Sequence, residues 1–377
     1  MGCVDGERLE VMSGSKDAGM VEKMANDRFK VLMAGPDRSV HGGISGVVNN
    51  YYDAGLDKLI DLYYIGTMVE GSKGAKLLCA VKAYLRFLVK LPQYDIVHVN
   101  MASDSSYYRK SIFVRTAEIC RKKIVIHQHG GNFPEFYEKE LSDAGRRHVR
   151  EVLSMGDAFL VLGTAWKKFF GAIIGEEKIT VLPDAIQIPA AVDKQYGVHK
   201  ILFLGRLCKA KGIGELLAVM PGLRANYPDV RLYLGGIWED EELKARAHSM
   251  KECVTDLGWV SGNVKQKYLQ ECDIFVMPSY FEGQSVSILE AMAYGCGIVA
   301  SETGGIPDMI IEGETGIFAV PQDVKTLEEG LQRLLSEPEL CRRLGENARR
   351  KAENEFSMED NINKLLSVYE SVRGWER

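Results

Sequence analysis

Residues 273–297 read DIFVMPSYFEGQSVSILEAMAYGCG, and their order of signals decides the fold class. A β-rich run over 273–277 stops at Pro278, a loop carries Glu282 and Gly283, helical spacing begins near Ser285, and another β-rich run opens at Gly297. Strand, loop, helix and strand in that order make a βαβ unit, which calls for a parallel sheet. The alternation extends both ways. Strands are predicted over 29–34, 95–99, 123–127, 158–162, 201–204, 231–234 and 297–300, with helices from Ile44 and over 111–120, and helical spacing over 326–372 marked by Leu327, Leu331, Leu334, Leu335, Leu365, Leu366 and Tyr369.

A chain of 377 residues exceeds what one hydrophobic core usually organises, so two domains are expected. The stretch 188–191 reads as the linker. Residues 1–26 form a flexible extension, 27–190 a first Rossmann-like domain and 191–377 a second, whose terminal helix is free to return to the first. The expected architecture is therefore α/β, two Rossmann-like domains facing across a cleft with C-terminal helices. Ligands of such sheets lie beyond the carboxyl ends of the strands, so chemistry is sought in the loops that follow them.

Composition narrows the function. Hydrophobic residues at 46% and charged residues at 26% are ordinary for a globular protein and exclude a disordered or collagen-like one. Net charge is −5, which argues against nucleic-acid binding. Residues 27–190 nevertheless carry 22 Lys and Arg against 18 Asp and Glu, while 191–377 carry 22 against 29. The eight cysteines are scattered singly, without C-x-x-C, and read as reduced thiols. With no apolar leader and no run long enough to span a bilayer, the expected location is the cytoplasm. The basic amphipathic segment 76–90 and the cluster Arg121-Lys122-Lys123 read either as solvated faces or as contacts to an anionic membrane at its inner face.

Four loops carry candidate chemistry. Backbone N–H groups of Gly283, Gln284, Ser285 and Val286 start a helix facing the cleft, a site for phosphate bracketed by Glu282 and Glu290. The bland alternative makes Glu282 a loop hydrogen-bond partner and Glu290 a solvated helix residue. Arg206 and Lys211, five residues apart after the strand 201–204, could both reach one diphosphate; alternatively the lysine is a surface residue and Arg206 pairs with a nearby acid. Gly42 and Gly43, after His41, open the first strand-to-helix loop, but G-x-G-x-x-G is absent, which disfavours a dehydrogenase. His127 and His129 share a strand face, and His129, at the strand end, is the one expected to reach the cleft. No acid or cysteine beside them in sequence completes a metal set, so no metal is expected. The acidic run 239–242 reads as a solvated helix start.

Gly205-Arg206-Leu207 with Lys211-Gly212, the Glu282-x7-Glu290 frame, and Gly304-Gly305-Ile306-Pro307-Asp308 followed by Thr315-Gly316 resemble the retaining glycosyltransferases of family 4, which have the GT-B fold. The resemblance spans about residues 29–372 and is most specific in the second half. It implies that Arg206 and Lys211 hold a donor diphosphate, that Glu290 binds the ribose, and that Glu282 lies beside the transferred sugar. It further implies that residues 283–286 contact sugar and phosphate, that Val260 approaches the base, that Gly43 lies near the diphosphate, and that His129 lies near the donor sugar. The implied reaction moves a sugar from a nucleotide diphosphate sugar, as co-substrate and without other cofactor, to a glycan or lipid-linked hydroxyl acceptor. Asp184 stands where relatives often have Asn, and Asp308 where they often have Glu; both swaps are expected to alter interdomain contacts more than the donor site. Gln284-Ser285 replaces a commoner apolar-Pro pair. A nucleotide-sugar epimerase of the same fold and a non-catalytic sugar-nucleotide-binding subunit remain as alternatives.

Overall fold

The computed structural model describes residues 28–190 and 192–374, so the extension expected over residues 1–26 lies outside the described residues. The first sheet contains β1 (Lys30–Gly35), β2 (Asp61–Gly66), β3 (Ile96–Met101), β4 (Lys123–Gln128), β5 (Ala158–Val161) and β6 (Ile179–Val181), all parallel, in the order β2-β1-β3-β4-β5-β6. The second contains β7 (Lys200–Leu204), β8 (Arg231–Gly235), β9 (Val254–Gly258), β10 (Ile274–Met277), β11 (Gly297–Ser301) and β12 (Ile317–Ala319), also parallel, in the order β12-β11-β10-β7-β8-β9. Strands β3 and β11 are buried at every position, as parallel strands are when helices cover both faces.

The helices that matter for the site are α1 (Gly43–Asp53), α2 (Lys73–Lys90), α3 (Asp104–Ile119), α4 (Asp143–Ser154) and α5 (Thr164–Ile174) in the first domain. In the second they are α6 (Ile213–Asn226), α7 (Glu241–Ser249), α8 (Gly262–Glu271), α9 (Val286–Ala293), α10 (Val324–Ser336), α11 (Pro338–Glu355) and α12 (Met358–Gly374). Four strands escape the sequence reading, β2, β6, β9 and β12, and they are the four sheet edges: β2 and β9 keep most of their residues partly exposed, and β6 and β12 have only three residues each, so none shows a long continuous apolar run. Helix α3 begins at Asp104, not Ser111, because its first two turns, DSSYYRK, are polar and hide the period.

The first sheet's alternation divides its core between two faces. Leu32, Val97, Ile124 and Phe159 face one cluster, while Val31, Ile96, Val125 and Ala158 face the other. The second face is closed by α12, the last helix among the described residues. Met358, Ile362, Leu365, Tyr369 and Val372, at helical spacing along α12, join that cluster with Val47 and Tyr51 of α1. Tyr369 Oη lies 2.6 Å from His98 Nδ1, and Tyr51 Oη donates to Asn361 Oδ1 at 2.8 Å. The outgoing crossing at Ile186 bridges Ser357, with Met358 N–H donating to Ile186 O and Ile186 N–H to Phe356 O, both at 3.0 Å. The chain therefore leaves and re-enters the first domain side by side.

Replacing Tyr369 by Ala should destabilise the first domain by about 3–5 kcal/mol, as truncation of a large buried ring does. Replacing it by Phe loses only the bond to His98, about 0.5–1.5 kcal/mol. Thermal unfolding of the two variants against the parent measures the gap; equal losses would show that the ring packs against nothing important.

Candidate active site

The loop after β10 is fixed by backbone packing. Gly304 sits at φ +57, and a Cβ there would come within 1.7 Å of Glu282 O. A Cβ on Gly305 would meet Gly283 O at 2.0 Å, one on Gly283 would meet His129 O at 2.4 Å, and one on Gly131 would meet Gly283 N at 2.4 Å. The Glu282–Gly283 peptide is thus held between Gly304-Gly305 of its own domain and the end of β4 from the first, an approach only glycine permits. Gly305 N–H donates to Glu282 O at 3.2 Å, and Trp166 Nε1–H of α5 donates to Gly283 O at 3.1 Å.

Held this way, the Glu282 side chain turns inward and is 9% exposed. Its Oε1 accepts from Ser279 Oγ at 2.9 Å and from Lys211 Nζ at 2.5 Å. Lys211 in turn precedes Gly212, which starts α6 at φ 71 and lies so close to Pro278 O that a Cβ would come to 2.1 Å. The ammonium and the carboxylate are both set by backbone contacts around the end of β10.

Between the domains lies a cavity of about 520 Å³. The first domain lines it with Arg38, His41, Gly42 and Gly43; the second does so with Arg206, Lys211, Val260, Lys265, Glu282, Gln284, Ser285, Val286 and Glu290. Two helix starts face it, α1 behind Gly42 and α9 behind Ser285, and neither has a side-chain cap. A Cβ added at Gly42 or Gly43 would meet nothing within 4 Å. Protein packing does not explain those glycines, while unpaired N–H groups at a helix start suit an anion.

The cations do not stand free. Arg206 Nη1 donates to both carboxylate oxygens of Glu239 at 3.2 Å, and Lys265 Nζ donates to Glu290 Oε1 at 2.5 Å. Glu239 and Lys265 are residues the sequence reading did not assign to the site. The acidic run is corrected accordingly: Asp240 does cap α7, accepting from Glu242 and Leu243 N–H at 3.0 Å, but Glu239 reaches across to Arg206. At the cleft mouth His41 bonds Glu70 at 3.0 Å and meets the Trp259 ring edge-on at 4.4 Å, a contact between domains.

Two expected site residues lie behind the cleft wall. Gly283 is covered as described, and the His129 side chain is 3% exposed; neither residue lines the cavity. His129 Nε2 faces Asn100 Oδ1 at 3.0 Å, and Nδ1 faces Asp184 Oδ1 at 3.4 Å. The expectation that His129 reaches the cleft is corrected: the Glu282–Gly283 loop covers the strand end. Asp184 also corrects the reading that no acid accompanies the histidines. Ligand atoms of His127, His129 and Asp184 lie within 4.8 Å of one another, brought together by the crossing after β6. Gln284 points back as well, its Oε1 accepting from Asp184 N–H at 2.5 Å. Asp308 does bridge the domains, accepting from Thr164 Oγ1 at 2.6 Å.

Burial sets the protonation of this pair. It pushes the Asp184 carboxyl up to about 8, and together with the nearby Lys110 charge it pulls His129 down to about 3. At neutral pH burial favours a protonated Asp184 facing an uncharged imidazole whose Nε2–H donates to Asn100 Oδ1, while Nδ1 and the facing Asp184 Oδ1 make no hydrogen bond. A neutral carboxyl offers one donor and one acceptor, as an amide does.

The family described as glycosyl transferases group 1 matches residues 186–351. A glycogen synthase of Mycobacterium tuberculosis is 28% identical over 236 residues, 61% of this chain and 56% of that protein. The chain thus spans about half the length of that relative. Among solved structures, sucrose-phosphate synthase of Thermosynechococcus elongatus superposes with a TM-score of 0.73 at 19% identity, covering 92% of this chain and 99% of that one. HepE of Anabaena in complex with UDP and glucose gives 0.73 at 16% identity, covering 91% and 100%. The fold is GT-B, as in these two structures, and the match to the glycosyl transferases group 1 family is confined to residues 186–351.

Asp184 makes the pH dependence of stability testable. Between its ordinary value of 3.8 and about 8, the folded chain keeps a proton that the unfolded chain has released, so this contribution declines as pH rises. His129 acts oppositely, and only below its ordinary value of 6.5. From pH 6.5 to 8 Asp184 acts without that opposition. Buried Lys110, pulled down to about 7, opposes it above pH 7 in parent and variant alike, so the comparison isolates Asp184: across this window the parent's melting temperature should fall relative to that of Asp184→Asn, with the variant the more stable at pH 8. Parallel pH profiles would show Asp184 to be ionised in the folded chain.

Proposed function

We propose that this chain, whose residues 186–351 match the glycosyl transferases group 1 family, moves a sugar from a nucleotide diphosphate sugar to a hydroxyl acceptor and keeps the anomeric configuration. The charge balance of the cleft carries the proposal. Arg38, Arg206, Lys211 and Lys265 line it against Glu282 and Glu290, an excess of two positive charges that a diphosphate would match. The HepE structure, with UDP and glucose bound, supports a ligand of this class in this fold.

When the bond from sugar to diphosphate breaks, negative charge grows on the leaving oxygen. Fixed cations and helix N–H groups aimed there stabilise the transition state more than the ground state. Arg206, Lys211 and the starts of α1 and α9 supply them here. An entering diphosphate takes Arg206 from Glu239 and Lys211 from Glu282, so binding is an exchange of ionic partners. Glu282 is then released beside the sugar as an orienting and electrostatic group. Glu290, with Oε1 on Lys265, keeps Oε2 for the ribose, and Val260 with Trp259 borders the base. The acceptor, a glycan or a lipid-linked sugar of polysaccharide assembly, approaches from the first domain.

UDP, GDP or ADP should raise the melting temperature selectively, by about 2.7 kcal/mol of added stability at a hundred times the Kd. Lys211→Ala and Glu290→Gln should each lower kcat/KM for the donor by about 10- to 150-fold, the loss of one charge-assisted contact. Unchanged kinetics in both would overturn the site, and donor converted to a free altered sugar without acceptor would favour an epimerase. Because the protein's own cations carry the leaving-group charge, turnover should survive EDTA; its loss would bring the His127, His129 and Asp184 group into the reaction.

A further inference from the structure

Helix α2 turns an apolar face outward. Leu77, Leu78, Val81, Leu85, Leu88 and Val89 are 40–69% exposed. At about 100° per residue they fall in one arc of roughly 120°, opposite the buried Ala83 and Phe87. Lys82, Arg86 and Lys90 follow one border of the arc, Lys73 lies beyond the other, and no acidic residue occurs from 73 to 90. The surface continues onto α3. Tyr84 and Thr116 share a hydrogen bond of 2.9 Å between the helices, and Ile112 and Ile119 on either side of Thr116 are 51% and 81% exposed. Exposed apolar residues scattered singly need no explanation; a contiguous row of them on two neighbouring helices does.

A second observation points to the same face. A cavity of about 540 Å³ opens between α2 and β2, lined by Arg38, Lys82, Arg86, Tyr63, Tyr64 and Leu78. Leu78 belongs to the apolar arc, and Arg38 also lines the interdomain cleft. Apolar arc, cationic cavity and donor cleft therefore follow one another along the first domain.

We propose that α2 lies in the head-group layer of an anionic phospholipid bilayer with its arc among the acyl chains, and that a lipid bearing an anionic head group is the acceptor, its head group entering the α2–β2 cavity. The second clause rests on the transferase reading above. A helix with leucines on one side, only cations among its charges and too little apolar length to cross suits the plane of a membrane surface. The first domain's excess of cations favours the same partner.

Flotation of the full chain with phosphatidylcholine vesicles, with and without phosphatidylglycerol, tests the docking. The parent should float only with phosphatidylglycerol and should be released by salt. Leu85→Asp with Val89→Asp should weaken flotation by at least about tenfold while leaving thermal stabilisation by nucleotide diphosphates in solution unchanged. Lys82→Gln with Arg86→Gln should weaken flotation and slow transfer to an anionic lipid acceptor more than to a soluble glycan. Equal flotation with neutral vesicles, or none, would overturn the proposal. So would a parent dimer that Leu85→Asp with Val89→Asp converts to monomer, which assigns the face to a second copy. A parent that floats but binds no nucleotide diphosphate would instead overturn the transferase reading alone.

Discussion

One peptide group holds the cleft in register: the bond joining Glu282 to Gly283. Backbone from two segments, 129–131 and 304–305, converges on it, at distances where any Cβ on Gly131, Gly283, Gly304 or Gly305 would collide. Contacts of this kind have no rotamers to relax, so they fix position more tightly than side-chain packing of the same area. The position of Glu282 follows from it, and with Glu282 that of Lys211. Because one of the converging pieces is the end of β4, the same peptide also sets how closely the two domains approach at the back of the cavity.

The front of the cavity is governed by charge. Three cations of the second domain are each matched to a carboxylate in the free chain, Arg206 to Glu239, Lys211 to Glu282 and Lys265 to Glu290. These pairs differ in burial. Arg206 and Glu239 are about half exposed, where water screens the attraction and the pair contributes little. Lys211 and Glu282 are mostly buried, and separating them without a replacement anion would be costly. A ligand with two negative charges is therefore admitted easily at Arg206 and selectively at Lys211.

The fold was legible in sequence wherever both faces of a strand are buried, because such strands read as unbroken apolar runs. Residues 274–277 and 297–301 are of this kind, and the loop between them carries its own glycine and helix-start signals. The edges β2, β6, β9 and β12 were not legible, since an edge strand is short or keeps part of its surface in water. The site divides the same way. Residues on loops after strands, Arg206, Lys211, Glu282 and Gly43, are marked by local grammar. Their partners are not. Glu239 and Lys265 come from other elements and have the composition of ordinary surface, and Asp184 meets His129 only through the crossing between domains. His129 shows the converse: its strand position was read correctly, but the loop that covers it lies 150 residues further along the chain.

Helix α12 has a consequence for how the molecule is made. The first sheet is complete once residue 181 has been synthesised, yet one of its faces is closed by residues 358–372. While the ribosome is still translating the second domain, Val31, Ile96, Val125 and Leu160 lack their final cover. The first half of the polypeptide to emerge is thus among the last to finish folding, and it waits with an open apolar surface until residues 358–372 have been made.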